Sequence, residues 1–155
     1  KDLYNDKDGA WLYKYPNLGT QINLGDFKVY GSGSALTIIT YGNGLYLSLK
    51  AKKTIEQKSQ KKIKVIDLRW LSPIDIQKLM ETIGKCKNIL IVDECRKTGC
   101  HGEEIYIKLS DKSDKQLKIK LHAAEDSFIS LGESATVTLP STKSIIKNAL
   151  AILDE

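Results

Sequence analysis

Ile89 to Val92 are four consecutive apolar residues, three of them β-branched, inside the stretch NILIVD at 88–93. Side chains alternate between the two faces of a strand, so a uniformly apolar strand needs cover on both sides. The run is too short for a buried helix and ends in an aspartate. It therefore implies a parallel strand inside a sheet with helices packed on both faces.

The rest of the chain repeats that logic. ALTIITY (35–41), KIKVIDLRW (62–70) and LKIKLH (117–122) are further strand-like runs. Between them lie helical patterns: Leu45 to Gln57, SPIDIQKLMETIGK (72–85) and GEEIYIKLS (102–110). The second is the clearest. Ser72 is placed to cap it, Pro73 to fill its first position and Asp75 its first turn, and Ile76, Leu79, Met80 and Ile83 recur on one face. Ser141 opens a last helix with Ile145, Ile146, Ala149, Ile152 and Leu153 facing inward. Alternating strands and helices predict the α/β class, with ligands received at the carboxyl ends of the strands.

With 155 residues this is one domain and an arm, and 41% hydrophobic residues suffice for a core. The arm is residues 1–26; the domain is 27–155. The arm carries Tyr4, Trp11, Tyr13 and Tyr15 without a period, a composition suited to packing on a neighbouring domain. Its NDKDG (5–9) lacks the later ligands of a calcium loop and reads as a turn. Lys1 is the first residue and no signal peptide follows, so the chain is expected to be a piece cut from something longer, with a processed product as the alternative. No apolar run approaches a membrane span of roughly 18 residues. The net charge of +5 comes from lysine, since only Arg69 and Arg96 among 24 basic residues are arginine. Base readout and phosphate forks favour arginine, so the lysines, including the dense run from Lys50 to Lys64, read as a solvated face and no nucleic acid is expected.

Two loops fall at carboxyl ends of strands and are the candidate anion or interface loops. The first is YGNG: Tyr41, Gly42, Asn43 and Gly44. A helix start there points backbone N–H groups outward, but the dinucleotide fingerprint would need glycine at Leu47, and a tight packing turn explains the glycines better. YGSGS (30–34) precedes its strand and falls on the wrong side for that fingerprint. The second loop is DECRKTGCHG (93–102), where Glu94, Arg96, Thr98 and Gly99 are the candidates and Glu94, Arg96 and Lys97 read as exposed. Cys95 and Cys100 have four residues between them, which matches neither a zinc knuckle nor a two-residue redox spacing. Zinc would need Cys95, Cys100, His101 and a distant fourth ligand such as Cys86. A cysteine nucleophile would need a base, and His101 beside Cys100 is expected to point away. Thr98 and Gly99 read as a turn, Gly102 as a close-packing position, and Glu103 and Glu104 as acidic first-turn residues. His122 reads as structural. Three cysteines without a disulfide framework suit a reducing compartment. The residues alone give an α/β domain with no catalytic constellation of its own and no metal ligands.

Four stretches then carry a resemblance. ALTIITYGNGLYLSL (35–49), VIDLRWLSPID (65–75), ILIVDECRKTGCHGEE (89–104) and AAEDSFISLG with TLPSTKSI (123–145) come in order at suitable spacing. Together they resemble the C-terminal domain of thiamine-diphosphate-dependent 2-oxo acid dehydrogenases, beta-type region, a domain shared with transketolases. The resemblance runs from about residue 3 to 152. DECRKTG and DLYNDKDGAWLYKYP look most like versions in which alpha and beta regions are fused.

The resemblance implies a three-layer α/β/α sandwich on a mostly parallel five-stranded sheet with one antiparallel strand. It implies a parent enzyme that uses thiamine diphosphate and magnesium to decarboxylate a 2-oxo acid and pass the acyl group to a lipoyl acyltransferase. The parent would be cytoplasmic, or in the mitochondrial matrix of a eukaryote. The magnesium-diphosphate motif is absent: GDF at 25–27 is the nearest approach. No catalytic or cofactor-binding residue is carried over, and the fragment alone is expected to be inactive. Its implied role is dimerisation and docking against the upstream domains and the acyltransferase, with Asp154 and Glu155 weak acyltransferase contacts. Where relatives carry a second glycine this chain has Cys100. Two alternatives stay open: a transketolase-like thiamine enzyme as parent, or a stand-alone module binding an anion or a protein.

Overall fold

The computed structural model describes residues 16–112 and 117–154. Tyr4, Trp11, Tyr13, Tyr15 and Glu155 lie outside them. Five strands form one sheet: β1 (Lys28–Tyr30), β2 (Thr37–Thr40), β3 (Lys64–Asp67), β4 (Asn88–Arg96) and β5 (Lys118–Ala124). Their spatial order is β1-β3-β2-β4-β5. β1 runs antiparallel to β3, with Val29 opposite Ile66, and every other pair is parallel. The helices are α1 (Asn43–Ser59), α2 (Ile76–Ile83), α3 (His101–Lys112), α4 (Ala135–Thr138) and α5 (Thr142–Asp154).

The apolar strands are covered on both faces. β4 buries Ile89, Leu90, Ile91 and Val92. Leu90 and Val92 face a core with Leu47, Ala51 and Ile55 of α1 and Ile145, Ala149 and Ile152 of α5. Ile89 and Ile91 face the other core, with Ile76, Leu79 and Ile83 of α2 and Ile105 and Leu109 of α3. The result is the α/β/α sandwich. Each buried Leu or Ile contributes about 1.5–3 kcal/mol relative to exposure, so the uniform strand is the strongest single determinant of the layering.

Several boundaries differ from the sequence expectation, and three of them show their cause. α2 begins at Ile76, after the cis Ser72–Pro73 bond, and its cap is Asp75, whose Oδ1 accepts the Lys78 N–H at 2.9 Å. The carboxylate satisfies an amide that the first helical turn leaves unpaired, so Ser72 has no capping role. α1 starts two residues earlier than expected and ends at Ser59, with Gln60 in the left-handed conformation. β4 runs on past Asp93 to Arg96, which pairs with Ala124 beyond a register irregularity. The last helix starts as expected: Ser141 Oγ accepts the Ser144 N–H and its carbonyl accepts that of Ile145. Ahead of β1, Leu18, Ile22 and Leu24 are exposed, while Asp26 pairs with Lys78 of α2 at 2.8 Å.

Candidate functional site

The parallel order brings YGNG, after β2, and DECRKTGCHG, which spans the end of β4 and the turn into α3, to one edge of the sheet, at the strands' carboxyl ends. Asp93 is the hub of that edge. It is 1% exposed. Its Oδ1 accepts the Tyr41 hydroxyl at 2.7 Å and the Cys95 N–H at 2.8 Å; its Oδ2 accepts the Gly102 N–H at 2.9 Å. One carboxylate thus ties the end of β2, the end of β4 and the start of α3 together. The helix N-terminus favours its negative charge. Burial first, then the bond to Asp93, pushes the Tyr41 phenol far up, so Tyr41 stays a protonated donor.

Two glycines on this edge, Gly44 and Gly102, serve packing, whereas Gly42 and Gly99 have open space around them and take positive φ. A Cβ at Gly102 would stand 2.6 Å from Leu121 Cδ1 and 3.2 Å from Asp93 Oδ2. A Cβ at Gly44 would strike the Thr40 hydroxyl, which donates to the Val92 carbonyl at 3.0 Å. Gly42 precedes α1 and offers no side-chain cap. Asn43 Nδ2 donates to Glu94 Oε1 at 2.7 Å. Burial raises the Glu94 carboxyl, the Asn43 bond opposes this, and Asp93 adds to it. An anion at the start of α1 would therefore meet two carboxyl groups, which disfavours a phosphate there.

Arg96, Thr98 and Gly99 form a second group. Asp126, after β5, accepts both the Thr98 N–H at 2.8 Å and the Thr98 hydroxyl at 2.7 Å. These bonds, with Lys97 and Arg96 nearby, hold the Asp126 carboxyl below its usual range. Gly99 N–H donates to Glu103 Oε2 at 2.8 Å, which closes the turn onto α3. The Thr98–Asp126 clamp anchors a segment whose apolar side chains face outward: Phe128 is 98% exposed and Leu131 93%. An open depression of about 500 Å³ lies between Arg96, Thr98, Asp126, Ser127 and Phe128.

The eight candidates named from sequence share one edge but form two groups, one around Asp93–Glu94 and one around Thr98–Asp126. Sequence reasoning missed Asp93 as the hub and Asp126 as the clamp. The first had a signal: an aspartate closing a buried strand, nine residues ahead of a glycine at a helix start. The second had a weaker one in DSFISL, where an acid precedes an apolar run with no helical or strand period.

No group of three or more His, Cys, Asp or Glu side chains among the described residues could hold a metal ion. Cys95 is exposed, Cys100 and Cys86 are buried, and all three are free thiols. His101 turns to Glu104 at 3.7 Å and stacks edge-on with Tyr41. His122 Nε2 lies 2.7 Å from Ser144 Oγ. A magnesium-diphosphate group does not fit Gly25-Asp26-Phe27, because the Asp26 carboxylate is occupied by Lys78 at 2.8 Å and by the Asn23 N–H at 3.0 Å. No helix among the described residues is long and apolar enough to cross a membrane.

Residues 25–137 match the family model described as transketolase, C-terminal domain. The chain is 31% identical over 136 residues to the pyruvate dehydrogenase E1 component subunit beta of Staphylococcus epidermidis, covering 86% of this chain and 42% of that protein. It is 30% identical over 135 residues to the same subunit of Bacillus subtilis, covering 86% and 41%. The chain thus spans about two fifths of the length of these relatives. Among solved structures, a split-gene transketolase described as an inactive beta4 tetramer superposes with a TM-score of 0.75 at 20% identity, over 87% of this chain and 44% of that one.

Proposed function

This chain belongs to the transketolase C-terminal domain family, and from that premise we propose that it is the assembly domain of a thiamine-diphosphate-dependent 2-oxo acid dehydrogenase. In the parent enzyme, thiamine diphosphate with magnesium supplies the carbanion chemistry that decarboxylates a 2-oxo acid, on residues outside this chain. This domain's residues do mechanical work. Asp93 locks the carboxyl ends of β2 and β4 to α3, and the Thr98–Asp126 clamp presents the Phe128 segment. The observation that carries the reading is that segment, with Phe128 and Leu131 almost fully exposed beside a rigid, hydrogen-bonded edge. Apolar side chains held out on a fixed scaffold suit a permanent interface. The occupants are the upstream domains of the same enzyme, in an oligomer of the parent, with a lipoyl acyltransferase as the partner that receives the acyl group. Kinship with the E1 beta subunits supports pyruvate or a related 2-oxo acid as substrate. A transketolase-like parent is the second reading, supported by the superposition with the split-gene transketolase.

The test is an assay of the intact gene product with thiamine diphosphate and magnesium, following dye reduction across a panel of 2-oxo acids. Turnover on pyruvate or another 2-oxo acid is expected, and none from residues 1–155 alone. Ketol transfer without any dye reduction would move the parent to the transketolase branch.

A further inference from the structure

We propose that Cys95 and Cys100 form a reversible dithiol–disulfide pair that closes across the turn between β4 and α3. The proposal stands on the placement of two thiols and does not depend on the assembly role. Cys95 lies in the irregular end of β4, where its N–H bonds back to Asp93 Oδ1 at 2.8 Å. Its Sγ lies 3.7 Å from the Tyr41 hydroxyl, which is 2.7 Å from Asp93 Oδ1. Cys100 stands at the other end of the turn. Its carbonyl accepts the Glu103 and Glu104 amides at the head of α3, and its thiol donates to the Lys97 carbonyl at 3.3 Å and borders the Asp93 carboxylate. Both sulfurs thus border one buried carboxylate network. Both cysteines line one open depression with Arg96, Gly99 and His101. Cys95 is exposed, whereas Cys100 is buried. That order suits an entering thiol and a resolving thiol.

With oxidised glutathione as the oxidant, the steps balance. Cys95 loses its proton to solvent, and its thiolate attacks one glutathione sulfur, which forms a mixed disulfide and expels a glutathione thiolate that takes up a proton. Cys100 loses its proton to solvent, and its thiolate attacks Cys95 Sγ. The Cys95–Cys100 bond forms and the second glutathione leaves. Two electrons from the protein thiols have reduced one glutathione disulfide to two thiols. Burial and the neighbouring Asp93 push the Cys100 thiol up. Its thiolate is therefore scarce at neutral pH, and the second step quickens as pH rises. The turn that closes carries Thr98, whose N–H and hydroxyl bond to Asp126.

The experiment treats the reduced full chain with oxidised glutathione, quenches in acid, alkylates under denaturing conditions and reads intact mass and peptide maps. The expected result is loss of two of the three alkylatable thiols, a linked Cys95–Cys100 peptide, and full recovery with dithiothreitol. Cys100→Ser should stop at a glutathione adduct on Cys95, Cys95→Ser should leave both remaining thiols alkylatable, and Cys86→Ser should behave as wild type. A wild-type chain that stops at the Cys95 adduct, stays fully alkylatable, or links through Cys86 or between chains overturns the proposal. If either serine variant melts out, the wild-type peptide map decides alone.

Discussion

Asp93 decides how much of the edge survives a single change. Replacing it with alanine leaves the Tyr41 hydroxyl and the Cys95 and Gly102 amides without their acceptor. An unsatisfied buried donor costs about 1–3 kcal/mol, so Asp93→Ala should lower unfolding free energy by about 3 kcal/mol or more. Tyr41→Phe removes one donor to a carboxylate and should cost about 1.5–3 kcal/mol. Urea unfolding measures both, and equal small losses would show that the carboxylate is not the hub. His122 makes a second, pH-dependent case. Burial first, and Lys120 next, hold its pKa below the ordinary 6.5, so the folded state keeps a neutral ring beside Ser144. Below pH 6.5 the unfolded chain takes up a proton the folded chain refuses, and stability falls with pH until the folded pKa is reached. His122→Gln should flatten this acid-side loss relative to wild type in melts between about pH 5 and 7. An unchanged slope would place the titration elsewhere. From sequence, residue types at this edge were legible, but their partners were not. Asp93 and Tyr41 lie 52 positions apart, and only the β2–β4 pairing makes them neighbours.

Elements were easiest to read where a period ran through them. Ile76, Leu79 and Ile83 mark α2 in the sequence and are its buried face in the structure. Its start was misplaced because Ser72, Pro73 and Asp75 all suit a first turn, and local preference cannot choose among them. The two registers predict different mutants. Asp75→Ala should destabilise by about 1 kcal/mol, the usual worth of a cap, while Ser72→Ala at an exposed position should stay within about 0.5 kcal/mol. Chemical denaturation of the two variants distinguishes the caps, and the reverse order would restore Ser72. β1 is three residues, KVY, with Lys28 and Val29 exposed. A strand so short carries no alternation, and only its pairing with β3 defines it. Apolar character in β4 stops at Asp93, so the sequence places its end there, although its backbone continues to Arg96.

At the scale of the whole molecule, the layering followed from buried strands, whereas the exposed apolar surface had no periodic signal. FISL at 128–131 is neither helix nor strand, so no pattern announced that Phe128 and Leu131 would point outward. A pair of substitutions there separates folding from assembly. Phe128→Ser with Leu131→Ser removes two apolar side chains that are 98% and 93% exposed and belong to neither core cluster. Surface changes of this kind usually alter stability by about 0.5 kcal/mol or less, so the melting of residues 1–155 should barely move. In the intact gene product the same pair should behave differently. Buried aromatic anchors at interfaces typically cost about 2 kcal/mol or more when truncated, which is roughly a thirtyfold weaker association. Sedimentation of the intact protein over a dilution series reads that shift. Weakened assembly with unchanged melting of the domain is what an interface gives, because the segment's energy is realised only against another surface. Unchanged assembly would mean that the Phe128 segment faces water in the assembled protein as well, and the clamp from Thr98 to Asp126 would then organise nothing beyond its own turn.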